Sequence, residues 1–382
     1  MGYLARFADG GERAFGEGAP EFTIRAPNDE ALRRFWEADA YTAAMSFLRG
    51  EFEVEGDLIA AVRWHIQRAR PSSALRLAGW VYQLAASRWE SYFQPRSRAA
   101  ANIRSHYDRS NEFFRQFLDS RMVYSCAYFK DPSWSIEEAQ LAKLDHICRK
   151  LDLQPGERLL DVGCGWGGLL FHAAERYGVQ AVGCTLSREQ FEYASERAAA
   201  FGGKVTVREV DYRDLTGEFD KIVSVGMFEH VGRRRLAGYF RKINSLLAPE
   251  GLFLNHGIVR PQPVSDDAQT AFLRSKVFPG GELPHLSDLI RDAENAGFEV
   301  LDVENLRPHY ALTARAWVER LQQRREQCIR AAGAETWRTW VLYLAGSAVN
   351  FEDKQTEVHQ MLLSKRSGAR APRLTREYMY RP

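Results

Sequence analysis

From residue 136 onward the apolar positions alternate between two spacings. IEEAQLAKLDHICRKLDL carries them at helical intervals and stops ahead of Pro155-Gly156, which predicts an amphipathic helix. ERLLDVGCGWGGLLFHAAERYG then reads as a strand, a glycine turn and a helix. VQAVGCTLS predicts a second strand, SREQFEYASERAAAFG a second helix and KVTVREVDYRDL a third strand. FDKIVSVGMFEHVG is a fourth strand running into a loop, RRLAGYFRKINSLLAPEG a helix stopped by Pro249 and Gly251, and GLFLNHGIV a fifth strand. ENAGFEVLDVENLRPHYALTARAWVERL adds a helix, a strand and a helix. Strands alternating with helices of this length predict an α/β fold, a mostly parallel sheet with helices on both faces.

The first 92 residues are different. Short strand-like runs (PEFTIR, GEFEVEG) mix with helical ones (NDEALRRFWEAD, YTAAMSFLRG, LIAAVRWHIQRAR), and Asn28 is placed to cap the first helix. They predict a small, mainly helical N-terminal domain without chemistry of its own. FQPRSRAA, residues 93–100, is a polar linker, and residues 93–382 form the second domain. Within it, residues 262–290 form an insertion between late elements, positioned to act as a lid.

Composition narrows the class. The 382 residues are 45% hydrophobic and 27% charged with a formal net charge of +2, as in an ordinary water-soluble protein. No run of eighteen apolar residues is long enough to span a bilayer. MGYLARFADGGERAFG interrupts with acids and glycines the apolar stretch that a signal peptide needs. The five cysteines form no CxxC pair and no ligand-spaced cluster with histidine, so free thiols, a reducing compartment and a cytoplasmic location are expected, with no metal site. Two basic knots stand out: Arg233-Arg234-Arg235, and a C-terminal tail with Lys365, Arg366, Arg370, Arg373, Arg376 and Arg381 against Glu377 alone. Each is either solubilising surface or a contact for an anionic partner, a phospholipid surface or a nucleic acid.

LLDVGCGWGG places Gly163, Gly165 and Gly168 in GxGxxG spacing, where a cofactor can approach the backbone and a helix N-terminus. A Rossmann-like nicotinamide site also requires an acid at the end of the second strand. That strand ends here in Gly183-Cys184-Thr185, without one. Polar residues stand at other strand ends instead: Asp161 before the turn, Thr185 and Gln190 after strand two, Asp211 after strand three. This distribution fits a ligand with an adenosine and a sulfonium-bearing amino acid but no pyrophosphate, namely S-adenosylmethionine. A dinucleotide or a purely structural turn is the competing reading.

Further polar groups gather at the same edge in four segments: YSCAYF, MFEHV, NHG and HYALT. Glu229 and His230 follow an apolar strand and need partners if buried. His256 interrupts LFLNHGIV, where a histidine serves the core or a cap as readily as chemistry. A glutamate, a histidine and a tyrosine converging near a cysteine backbone would form a polar cup able to hold a small oxyanion or take a proton. A GxSxG elbow for serine hydrolysis is missing.

SHYDRSNEFF, MVYSCAYF, LLDVGCGWGG, GCTLSREQ, GMFEHVG, KVFPGGELP and HYALTARAW, in this order, resemble the cyclopropane-fatty-acyl-phospholipid synthases and the related mycolic acid cyclopropane synthases. The resemblance runs from about residue 95 to 364, and the N-terminal module looks like that of the phospholipid-acting members. It implies a Rossmann-like methyltransferase that adds a methyl group to the double bond of an acyl chain esterified in a phospholipid. Attack of the alkene on the S-methyl group leaves a carbocation, and proton loss from the added methyl closes a cyclopropane ring. In the family a bound bicarbonate takes the proton. By resemblance its holders are the backbone of Cys126 and the side chains of Glu229, His256 and Tyr310. Tyr124, Tyr128 and Phe129 are the aromatics available to face the cation. Tyr124, Ser125, Gly163, Gly165, Thr185, Gln190 and Tyr212 would contact S-adenosylmethionine, with Asp161 and Asp211 added by their strand-end positions. The segment around Phe278-Pro279-Gly280-Gly281 would help form the acyl channel. The N-terminal module would serve lipid association and homodimerisation, at the inner face of the membrane. The N-terminal helices or the basic tail would supply the adhesion.

One departure matters. Relatives carry a cysteine in a late helix, in a setting like YCAGAF, whereas this chain has LYLAGSAVNF, with Ala345 at the cysteine position. A tolerated substitution keeps the ring, while an altered fate of the cation would give a methylene-branched chain. A small-molecule methyltransferase would not need the N-terminal module or the lid. An RNA methyltransferase would explain the tail but not the missing RNA-binding module and NPPY-like tetrapeptide, so no nucleic-acid partner is expected. A non-catalytic lipid-binding protein remains as the reading without chemistry.

Overall fold

Among the described residues seven strands form the larger of two sheets, and the glycine turn sits where their winding reverses. The computed structural model describes residues 2–68, 110–261 and 283–380. By spatial clustering the chain divides into two units. The first comprises Met1–Phe93, Ser265–Pro279 and Ala314–Asp353; the second comprises Gln94–Val264, Gly280–Thr313 and Lys354–Pro382. The late stretch 314–353 thus clusters with the N-terminal residues, although sequence order attaches it to the second domain.

In the first unit β1 (Gly2–Phe7), β2 (Glu12–Gly16), β3 (Pro20–Ala26) and β4 (Glu53–Gly56) form a sheet in the order β2-β1-β3-β4. PEFTIR and GEFEVEG account for β3 and β4; the hairpin of β1, with Tyr3 and Ala5 buried, and the largely exposed β2 was not among the expected runs. Tyr3 stacks on Phe15 and Phe22 at 5.1 Å each, and Phe35 on Trp64 at 5.3 Å. Asn28 caps the helix Asp29–Trp36 by accepting the N–H of Ala31. The helix Ala334–Glu352 packs on Leu58–Arg68 and buries Ala345 completely.

The second unit carries β5 (Arg158–Val162), β6 (Gln180–Thr185), β7 (Val205–Glu209), β8 (Phe219–Val225), β9 (Leu247–Val259), β10 (Phe298–Asn305) and β11 (Glu357–Lys365). Their order is β10-β11-β9-β8-β5-β6-β7. Strands β5 to β9 pair in parallel, and β11 runs antiparallel between β9 and β10. Successive residues of β5 serve opposite faces: Leu159 joins one core cluster, Leu160 the other. Ser135 and Glu138 close a capping box on the helix Ile136–Lys150, which covers one face.

Three features depart from the pattern. β11 was not legible, because His359 and Gln360 interrupt its apolar run; in the sheet all residues from Val358 to Ser364 are nonetheless buried. The helix expected to stop at Pro249 and Gly251 ends at Leu246, and β9 begins at Leu247. Residues 286–290, assigned to the lid, open the helix Leu286–Asn295. Residues 262–282 of that segment, with Phe278-Pro279-Gly280-Gly281, lie outside the described residues, as does the linker 93–100. Among the described residues no helix is long and apolar enough to cross a membrane.

The basic tail is committed to its own unit. Arg370 and Arg373 both reach Asp152 (3.2 and 2.5 Å), Arg376 reaches Asp302 at 2.6 Å, and Arg366 lies 3.9 Å from Glu294. These four arginines thus each face an acidic residue of the same unit.

Candidate active site

The carboxyl ends of β5, β6 and β8 surround one cavity at the point where strand order reverses, the position where open α/β sheets bind ligands. Gly163 and Gly165 form its floor, both with positive φ (86° and 57°). A Cβ on Gly163 would come within 3.0 Å of the Met227 side chain, so glycine keeps that wall open. The N–H groups of Gly163 and Cys164 are both taken by the carbonyl of Cys184 at 3.0 Å, which locks the turn against β6.

All nine residues singled out for the cofactor line this cavity. The Thr185 hydroxyl donates to Gln190 Oε1 at 2.8 Å and accepts the N–H of Ser187, so the Gln190 amide keeps its donors for other partners. Asp211 faces Arg213: its Oδ1 accepts from the backbone N–H and from Nε, and Oδ2 from Nη2. Tyr212 meets Tyr239 edge-on at 5.6 Å, and burial pushes its hydroxyl up to about 12. Tyr124 stands within ring contact of Phe114 and Phe117. Ser125 accepts from Lys143 Nζ at 2.8 Å.

Two buried charges of opposite sign look onto the cavity. Asp161 is 3% exposed, with Oδ1 shut away from solvent and without a hydrogen-bond partner. Burial raises its carboxyl to about 7 against the pull of Lys143. Lys143 is 2% exposed, and burial brings its ammonium down to about 8 while Asp119 opposes the shift. This lysine escapes a motif search. Its signal is that it occupies an apolar position of the helix, in phase with Ile136, Ala139, Leu144 and Ile147.

In the second group of residues, those assigned to the anion, Glu229 and His256 meet at β9, and neither they nor Cys126 and Tyr310 belong to the lining of this cavity. Glu229, in the short 3₁₀ turn Phe228–His230 after β8, accepts the backbone N–H of Ile258 on Oε1 at 2.7 Å. Its Oε2 is cut off from solvent and has no hydrogen-bond partner. Burial raises this carboxyl to about 7, with the Ile258 N–H acting against the shift. Gly257 makes the fit possible, because a Cβ there would lie 2.3 Å from the Phe228 ring and 2.8 Å from Glu229 Oε1. His256 is buried, and Gln360 Nε2 lies 3.1 Å from its Nδ1. With the amide nitrogen donating, Nδ1 accepts and the neutral ring carries its proton on Nε2. Burial holds this imidazole well below its usual range, hence neutral.

Cys126 is fully buried, its Sγ directed at the carbonyls of Ala127 (3.3 Å) and Leu306 (3.8 Å), and burial pushes its thiol far up. The N–H of Ala127 donates to Thr313 Oγ1, that of Tyr128 to the Ala139 carbonyl and that of Phe129 to His309 Nδ1, each at 3.0 Å. The N–H of Cys126 donates to none of the described residues. Tyr310, half-buried, stands in the first turn of the helix Arg307–Gln323 that starts at this contact. Tyr128 is corrected: its ring stacks on His146 at 4.4 Å and on His309 at 4.6 Å, so its faces are taken up rather than offered to a cation.

Sheet order, the glycine turn without an acid after β6, and a cavity with both a buried cation and a buried anion define an S-adenosylmethionine-dependent methyltransferase. Residues 94–361 match the mycolic acid cyclopropane synthetase family, and the chain belongs to it. A probable fatty acid methyltransferase of Pseudomonas putida is 40% identical over 373 residues, covering 95% of this chain and 92% of that one. Cyclopropane mycolic acid synthase 2 of Mycobacterium leprae is 37% identical over 69% of this chain and 93% of its own length. Among solved structures, the cyclopropane synthase MmaA2 from Mycobacterium tuberculosis superposes with a TM-score of 0.68 at 33% identity, covering 72% of this chain and 99% of that one. The mycolic acid cyclopropane synthase CmaA1 complexed with SAH and CTAB also superposes at 0.68, with 35% identity and coverage of 72% and 100%.

Proposed function

We propose that this methyltransferase acts on the double bond of an unsaturated acyl chain in a membrane phospholipid and that proton loss closes a cyclopropane ring. The observation that carries the lipid class is the extent of the similarity. The fatty acid methyltransferase is similar along 95% of the chain, N-terminal module included, whereas the mycolic acid synthase covers 69% of it. On this reading residues 1–92 serve lipid association and homodimerisation, and the enzyme works peripherally at the inner face of the membrane.

S-adenosylmethionine fits the cavity by charge: its amino-acid end is a zwitterion, and Lys143 and Asp161 are the buried pair available to it. When bound, it supplies the electrophilic methyl group. Gln190 and Tyr212 line the same cavity and are assigned to the adenosine. Bicarbonate fits the second group of residues by its donor set. Glu229 with its carboxyl raised to about 7 holds a proton to share, His256 carries its proton on Nε2, and the Cys126 N–H lacks a described acceptor. Tyr310 supplies a hydroxyl from the following helix. Bicarbonate bound there would supply the base for the departing proton.

A second reading keeps the methyl transfer and changes the product to a methylene-branched chain; it is favoured by Ala345 at the position of the relatives' cysteine. One experiment separates the possibilities. Purified protein is incubated with vesicles of dioleoyl phosphatidylglycerol and S-adenosylmethionine, and the recovered acyl chains are analysed by proton NMR. Upfield cyclopropane protons are expected. Vinylidene protons in their place would establish the branched product, and methylation of free oleate but not of the phospholipid would refute the phospholipid assignment.

A further inference from the structure

The helix Ile136–Lys150 buries four polar side chains, Gln140, Lys143, His146 and Lys150, and the first two reach the same residue. Gln140 is 0% exposed and Lys143 2%. Three residues apart, they lie one above the other on a single helix face. Gln140 Nε2 donates to the Ser125 carbonyl and Lys143 Nζ to Ser125 Oγ, both at 2.8 Å. Ser125 is thereby held from its backbone and its side chain at once.

The direction of the second bond has a consequence. An ammonium only donates, so Ser125 Oγ is the acceptor and its own proton is free to point elsewhere. Ser125 and Lys143 both line the cavity, so the hydroxyl is a prepared donor at its wall. Lys143 forms no ion pair with any described residue. Asp119 and Asp161 act on it through space without coming within ion-pair distance. Removing an ammonium from water costs several kcal/mol unless an anion compensates it, and a methionine would fill the same volume without that cost. Asp161, on the same cavity wall, is a buried carboxylate with an equally unanswered oxygen. A cation and an anion that do not pair with each other suit a ligand that brings one of each.

We propose that Lys143 is the positioning residue for the amino-acid end of S-adenosylmethionine: it fixes Ser125 as a donor and supplies the positive charge that selects the α-carboxylate, with Asp161 answering the α-ammonium. This inference rests on the reading of the cavity as the S-adenosylmethionine site.

The test compares three ligands by isothermal titration calorimetry on the full chain: S-adenosylhomocysteine, its decarboxylated analogue, and methylthioadenosine, which lacks the amino-acid end. The wild-type protein should prefer S-adenosylhomocysteine over the decarboxylated analogue by about ten- to a hundredfold, the scale of a charge-assisted hydrogen bond. In Lys143→Met this preference should fall to within about threefold, with methylthioadenosine affinity unchanged. Ser125→Ala should lose part of the preference, and the double variant no more than Lys143→Met alone. Equal weakening of all three ligands in Lys143→Met would mark a merely structural lysine and overturn the proposal. Wild-type protein that does not discriminate between the first two ligands would overturn it without any variant, even if Lys143→Met fails to fold. Adenosine-containing ligands that bind without this preference leave the cavity assignment standing and remove the lysine's role; binding of none of them removes both.

Discussion

Glu229 Oε1 accepts the backbone N–H of Ile258 at 2.7 Å, joining the turn after β8 to the end of β9 and leaving Oε2 without a partner in a dry site. The bond fixes the carboxyl in place and burial keeps it protonated up to about pH 7. Glu229→Gln retains the shape and one donor but cannot exchange a proton. It should lower kcat by about 10²- to 10⁴-fold with little change in S-adenosylhomocysteine affinity. Steady-state kinetics with calorimetry checks this, and near-normal turnover would remove Glu229 from the chemistry.

Gly257→Ala should damage the same site from behind. The added methyl would meet the Phe228 ring at 2.3 Å and Glu229 Oε1 at 2.8 Å, and neither is a loose chain end. An overpacking cost of about 1–3 kcal/mol is expected in chemical denaturation, along with a loss of turnover exceeding any loss of cofactor affinity.

Cys126→Ser should retain most of the activity. The thiol is buried, its proton is held far above the usual thiol range, and only the backbone N–H is assigned a role. A thiol-directed alkylating reagent should leave Cys126 unmodified in the native protein. Rapid alkylation with loss of activity would argue for a reactive thiol.

Asp161 makes stability pH-dependent in a defined direction. Its carboxyl is raised in the folded state from 3.8 to about 7, so between these values the folded protein holds a proton that the unfolded chain has released. The associated stability is fully present below about pH 4 and is lost as pH rises through about 7. Asp161→Asn removes this contribution. Wild-type stability minus that of the variant, from urea melts, should therefore decline across that window; a flat difference would refute the shift.

Truncation after Ala369 removes Arg370, Arg373 and Arg376 from Asp152 and Asp302. It should lower the melting temperature and leave retention on anionic vesicles unchanged in co-sedimentation. Loss of vesicle binding at unchanged stability would restore the tail to a membrane role.

Much of the larger sheet was legible because a parallel strand buried on both faces must be apolar and its crossover helices must be periodic. LLDV, QAVGCT and FDKIVSV satisfy both conditions locally. β11 escaped because its buried Gln360 places its amide nitrogen 3.1 Å from His256 Nδ1, a neighbour far away in the chain that a local pattern does not announce. The same limit applies to the site. Asp161, Gly163, Thr185 and Gln190 are placed by strand ends and a turn that the chain writes locally, and all four line one cavity.

Sequence by itself determined which residue types stand at the carboxyl ends of the strands, and through them the cofactor class, because period and turn chemistry act over a few residues. Tertiary structure decided the protonation and the engagement of those groups. The proton on Glu229, the charge of Lys143 beneath Ser125, the stacked faces of Tyr128 and the pairing of the basic tail all depend on burial and on partners distant in sequence. A charge in water and the same charge in the core are the same letter; only the fold sets the dielectric around it and the group that answers it.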